Sequence, residues 1–246
     1  MSTSDLALIV LAFVAAGLVK GILGMGLPSV AMALLGLAFA PAQAAALIVI
    51  PALATNLWQF AAGPALAKVV RRFGTLILGG IIGVFVGIGI LVGEAGRLAT
   101  ALLGAVLALY GVLGLLRVQF AVPPSAERWA SPLVGVVTGV LTGATGIYVI
   151  PAVPYFAALR IERDELVQLM GFAFSTSTIA LAVALYFAGA YRLDAAASSL
   201  VGLAAAFGGM FAGQRLRTRL DADVFRRWFY AGMVAIGAFM IYKATR

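Results

Sequence analysis

One charged side chain, Lys20, sits deep inside an otherwise apolar stretch that runs from Leu6 to Ala40. Gly17, Gly21, Gly24, Gly26 and Pro28 surround it, and residues of these types interrupt helices. At the centre of a membrane helix a lysine costs about 2.5–3.5 kcal/mol on insertion scales, so it normally faces water, a partner or a substrate. A cation beside an interrupted helix suits an anion, because irregular backbone at membrane depth lines cavities and helix ends present free N–H groups. Lys20, Gly24 and Gly26 are therefore read as substrate contacts, with Gly143 and Gly146 as their counterparts in a second predicted helix break. The competing reading of Lys20 is snorkelling, in which a short half-helix 6–19 ends near an interface.

Uncharged polar residues cluster in two later apolar segments. Thr55, Asn56 and Gln59 follow Pro51 by a turn or two, and Gln168, Ser175, Thr176 and Thr178 occupy the corresponding stretch further on. Residues three or four apart share a helix face, so each set can project together. Their hydroxyl and amide donors suit an oxyanion, and Asn56, Gln59, Ser175 and Thr176 join the substrate-contact set. Membrane Ser and Thr also bond backbone carbonyls of their own or neighbouring helices, which is the bland alternative for each. Tyr148, Tyr155 and Trp58 suit either a pocket or an interface, and the sequence does not separate the two.

Much chemistry is excluded. Histidine and cysteine are absent, and the nine acidic residues all fall at predicted membrane ends or in loops. Proton relays built on buried carboxylates, a Ser-His-Asp triad and thiolate nucleophiles are thereby removed, so no catalytic residue is assigned and an enzyme is not expected. No metal and no cofactor is expected either, since a buried lysine without anionic ligands repels cations.

The elements that must position these residues are membrane helices. Of 246 residues, 63% are hydrophobic and 11% charged, with a mean hydropathy of +1.10, far from a soluble domain. The net charge of +8 reads as a topology signal and not as nucleic-acid binding, because the basic residues lie between apolar spans. Met1–Asp5 lacks the basic region of a signal peptide and is expected to stay in the first membrane segment.

The first half reads as a broken segment 6–40 and spans near 43–62, 74–93 and 98–116. After the linker Phe120–Ser125, the second half reads as a broken segment 132–159 and spans near 166–187, 195–213 and 228–242. Gly17 and Gly21 align with Gly135 and Gly139, and Gly80, Phe85 and Gly87 with Gly202, Phe207 and Gly209. Spacings such as Gly79, Gly83, Gly87 indicate close helix packing. Treated as hairpins, the broken segments leave loops 63–73, 117–131, 160–165 and 214–227 on one face with twelve Lys and Arg, against four on the other. Full crossings give an even split and no orientation, so the positive-inside rule favours hairpins. Basic charge also swaps between equivalent loops of the two halves, which favours inverted repeats, 1–120 and 121–246; a chance distribution of a few arginines is the alternative.

The chain resembles the TauE/SafE sulfite exporter family over nearly its whole length. The resemblance rests on the glycines and proline opening each half, the polar-rich second span, and Val201-Gly-Leu…Phe207-Gly-Gly-Met-Phe-Ala-Gly213-Gln-Arg-Leu with Asp221-Ala-Asp-Val-Phe-Arg-Arg-Trp following. It implies a multi-pass inner-membrane protein that moves sulfite, sulfonates or related organic anions. The chain departs from the family in thinned glycine runs, the early Pro28 and Lys20 itself, which leaves the identity of the anion open.

The combined expectation is an all-α integral membrane secondary transporter with two inverted repeats, six full spans and two broken hairpins, moving a small anion by alternating access. No nucleotide-binding motif is present, so a coupling proton or ion, or the substrate gradient, would supply the energy. Partners are the anion, that coupling ion and the bilayer, with no nucleic acid; glycine-rich faces also suit a homodimer. The rival is an anion channel or a non-transporting membrane subunit.

Overall fold

A computed structural model describes residues 2–93, 96–117, 121–191 and 193–246. Glu94 and Phe120, which the sequence assigns to loops, lie outside these residues. Among the described residues the chain is all helical, with no strand. The first half comprises α1 (Thr3–Leu23), α2 (Leu27–Leu35), α3 (Pro41–Ala61), α4 (Leu66–Val92) and α5 (Gly96–Leu115). The second comprises α6 (Pro124–Thr145), α7 (Ala152–Ala158), α8 (Arg163–Phe187), α9 (Leu193–Leu216) and α10 (Ala222–Thr245). Among the described residues six helices, α1, α3, α4, α5, α8 and α10, are long and apolar enough to cross a bilayer.

The first segment breaks at Gly24, within the expected glycine stretch, so α1 is not the short half-helix 6–19 that the snorkelling alternative required. Ser2 and Asp5 form a reciprocal capping box, and α1 then runs uninterrupted for 21 residues. Gly17 and Gly21 do not break it. Gly24 does, in the left-handed conformation with φ 79°, its N–H donating to the Lys20 carbonyl at 2.8 Å. Gly146 ends α6 identically, with φ 74° and a 2.7 Å bond to the Thr142 carbonyl. These matched caps set the register of the two halves: Lys20 corresponds to Thr142, Gly17 to Gly139 and Gly21 to Gly143. The alignment of Gly17 and Gly21 with Gly135 and Gly139 is therefore displaced by one turn.

The tightest helix pairs exchange partners between halves. On α1, a side chain at Gly17 would strike the Ala206 carbonyl of α9 and one at Gly21 the Met210 carbonyl. On α6, Gly139 and Gly143 meet the Gly80 and Val84 carbonyls of α4 in the same way. In return Gly209 and Gly213 pack on Val14 and Leu18, as Gly83 and Gly87 pack on Val136 and Val140. So Gly83 corresponds to Gly209 and Gly87 to Gly213, which again shifts the pairing read from sequence by one turn. Such backbone-to-backbone approach is how membrane helices associate where no hydrophobic drive exists between them. One step away the two interfaces differ reciprocally: the Phe13 ring lies over Gly202 in one, and Gly135 lies against Leu76 in the other.

Contact order gives the helix directions. Gly17 with Ala206 and Gly21 with Met210 make α1 and α9 parallel. Ser199 reaches Leu47 at 2.6 Å, and Gln59 shares a cavity with Gln214, so α3 also runs with α9. Helices α1 and α3 thus point the same way and the nine-residue α2 turns back between them, a lopsided hairpin. Equivalent partners α3 and α8 run antiparallel, with Gly63 on Gln168 and Phe60 on Gly171. So do α5 and α10, with Gly111 near Tyr230 and Gly104 near Gly237.

Helices α4 and α6 begin earlier than the loops 63–73 and 117–131 allow, because their polar first turns are stapled together. Arg72 bonds Glu127 at 2.7 Å through both carboxylate oxygens, Lys68 pairs with Glu165 at 2.6 Å, and Arg72 reaches Glu165 at 3.5 Å. Arg117 pairs with Asp223 at 3.0 Å. These contacts tie together residues from the segments expected to share the basic face.

Candidate functional site

Proline shapes the floor of the site. Pro51 inside α3 has no N–H to offer the Leu47 carbonyl, and the Ser199 hydroxyl of α9 donates to that carbonyl instead. One turn later Thr55 and Asn56 point at α1. Lys20, 6% exposed, donates from Nζ to Thr55 Oγ1 at 3.2 Å and to Asn56 Oδ1. Both acceptors are neutral. The Thr55 hydroxyl passes its own proton to the Pro51 carbonyl at 2.8 Å. Asn56 also stands beside the buried Tyr148 hydroxyl, which accepts from Thr178 at 3.1 Å. Asn56 and Thr178 occupy corresponding positions, counted from the helix starts Pro41 and Arg163.

Lys20 occupies the last turn of α1, the carbonyl end, where the helix dipole favours a cation. Of the N–H groups expected at the Gly24–Gly26 break, the one on Gly24 is not free for an anion. The Gly24 N–H is spent inside its own cap, as is that of Gly146. The positive charge at this break comes from the side chain.

Above Lys20 opens a cavity of about 380 Å³. Its wall is Gln59, Trp58, Met210 and Gln214; Asp164 and Arg217 lie at the rim with the Ala62–Pro64 connection. The rim belongs to segments expected to share the basic face. Gln168 builds the lip: its amide donates to the Phe60 and Gly63 carbonyls at 2.8 Å each and accepts from the Ala65 N–H at 2.6 Å. Gln59 donates to the Val167 carbonyl at 3.0 Å, leaving its second N–H for the cavity.

Of the residues singled out from sequence, Lys20, Gly24, Thr55, Trp58 and Gln59 line this cavity, and Asn56 joins them through its bond to Lys20. The others are elsewhere. Gly26 starts α2 with φ 98° and packs near Val19 and Phe229, Gly143 packs on α4, and Gly146 lies against Met32 and Ala45. Ser175 is buried, and its hydroxyl has no hydrogen-bond partner among the described residues. Thr176 donates to the Phe172 and Ala173 carbonyls at 3.0 Å, the backbone-bonding alternative. Trp58 proves to be a pocket residue, while Tyr155 bonds Ser131 at 2.7 Å. Asp164, Gln214 and Arg217 escaped the sequence reading because each looks like an ordinary helix-end residue. The described acidic residues lie at helix ends as expected, and one of those ends, at Asp164, lines the cavity.

Counted from the helix starts and the interface glycines, Leu181, Ile88 and Leu91 fall at the positions of Gln59, Gln214 and Arg217, and Leu181 and Leu91 are each 3% exposed within the apolar core. A family model described as sulfite exporter TauE/SafE matches residues 9–240. No curated protein and no solved structure matches the chain.

Proposed function

Since this chain belongs to the sulfite exporter TauE/SafE family, a family of membrane transporters, we propose that it is a secondary transporter for a small anion of the sulfite or organosulfonate class. The observation that carries the reading is Lys20: a buried ammonium held by two neutral oxygens at the floor of a cavity open to one face. Burying a lone charge is unfavourable, and an arriving anion supplies the missing counter-charge. Gln59 and Gln214 offer neutral donors along its path, and Arg217 draws anions to the mouth.

The transport cycle is alternating access in the inner membrane, between two inverted repeats spanning 1–120 and 121–246. Support comes from helix direction: α1 runs with α9, α6 with α4, and equivalent partners α3/α8 and α5/α10 are antiparallel. In such a pair of repeats the Leu181, Ile88 and Leu91 seal is the counterpart of the open cavity, and exchanging the two states would carry the anion across. A seal of this kind favours a carrier over a channel, which needs a continuous path.

The test is radiolabelled sulfite uptake into proteoliposomes. Wild type should saturate and be competed by sulfonates, and Lys20→Ala should lower flux about tenfold or more with an unchanged unfolding transition. Equal flux by a folded Lys20→Ala protein would remove Lys20 from the substrate path, and linear, non-saturating flux would favour the channel.

A further inference from the structure

We propose that the basic face holds one anionic phospholipid, its phosphate against Arg117, Arg226 and Arg227 and an acyl chain in the trough between α5 and α10. Two adjoining hollows share Arg117. The inner one, about 320 Å³, is walled by Tyr110, Leu113, Val153, Pro154 and Tyr230. The outer one, about 640 Å³, is walled by Leu115, Val224, Trp228 and Ala231. At their junction two arginines share one carboxylate, Arg117 and Arg226 pairing with Asp223 at 3.0 and 3.1 Å, and a third, Arg227, lines the outer hollow. Positive charge is left over. Arg117 is held there with φ 49°, a conformation that non-glycine residues seldom adopt.

The choice of a lipid follows from the walls. Arg117 and Arg226 side chains are 44% and 37% exposed, so the attraction they exert on a free, hydrated anion is weak. The apolar lining would also strip water from such an anion without replacing it. A phospholipid meets neither obstacle, because its chains already lie in hydrocarbon and its phosphate lies at the level of the charged helix ends. Trp228, 75% exposed, is the residue type that settles at that level. Met25 lines the inner hollow while its neighbour Gly24 lines the Lys20 cavity, so the lipid would sit on the far side of the same helix break.

The experiment is native mass spectrometry of the detergent-purified protein with added phosphatidylglycerol or phosphatidylcholine, and it does not depend on the transport reading. Wild type should retain one phosphatidylglycerol in preference to phosphatidylcholine. Arg117→Gln/Arg226→Gln should cut that retention about tenfold, with its unfolding transition in phosphatidylcholine unchanged. Arg71→Gln/Arg219→Gln, which removes equal charge from the same face, should retain the lipid as wild type does. Equal retention of the two lipids by wild type, equal loss in both double variants, or displacement by inorganic phosphate would each overturn the proposal.

Discussion

The hydrogen bonds of Lys20 run to neutral oxygens, and that neutrality can be altered by a single atom. Asn56→Asp would place a carboxylate against the ammonium and cancel the charge offered to a substrate. The expected result is sulfite flux lowered about tenfold or more, with resistance to unfolding kept or raised, read by flux and by a thermal melt. Lys20, Asn56 and Gln59 were legible in the sequence because a polar residue in an apolar run stands out whatever the fold. Glycine carries no such mark. Gly24 and Gly143 look alike in sequence, yet one ends a helix beside the cavity and the other is pressed against the Val84 carbonyl. Only the neighbour across the interface decides which role a glycine has, and that neighbour lies dozens of residues away.

Helices show the same division between what periodicity reveals and what packing decides. Apolar length announced α3, α4, α5, α8 and α10 as spans, and the all-helical membrane architecture followed; α1, read as part of a broken segment, is the sixth, and α9, read as a span near 195–213, is not among them. Their ends were misread where charged first turns, such as Lys68–Arg72 in α4, extend beyond the apolar run and are fixed by Glu127 and Glu165. Register was misread by a turn in both interface helices because glycines spaced by four repeat the same pattern at every turn; the caps at Gly24 and Gly146 resolve it. Adjacent glycines in α9 test the interface directly. A side chain at Gly209 would strike the Val14 carbonyl, whereas one at Gly208 would meet open space. Gly209→Leu should therefore lower unfolding stability by about 2 kcal/mol or more and Gly208→Leu by less than about 0.5 kcal/mol, measured by denaturant titration in detergent. Ser199→Ala, which strands the Leu47 carbonyl beside Pro51, should cost about 1–3 kcal/mol in the same assay.

For the molecule as a whole, charge counts in the sequence named the four segments that the ion pairs bring together, since the positive-inside rule acts on the loops however the helices pack. What charge could not report is the cavity beside Lys20 or the seal proposed opposite it, because Leu181 and Gln59 are both unremarkable in an α-helix. The absence of native cysteine makes this directly measurable. Gln214→Cys should react with a membrane-impermeant thiol reagent from the basic face, and Leu181→Cys should react from the opposite side only while substrate is being turned over. Labelling of Leu181→Cys without substrate would show that the seal leaks. The reciprocal packing of Phe13 over Gly202 and Gly135 against Leu76 has a consequence of its own. Bulk stands on opposite sides of the two contacts, so on the proposed repeat a chimera of two first halves would drive Phe13 into Leu76. The two halves would then fit only each other, as lock and key, and a chain with both halves alike is expected to lose this packing.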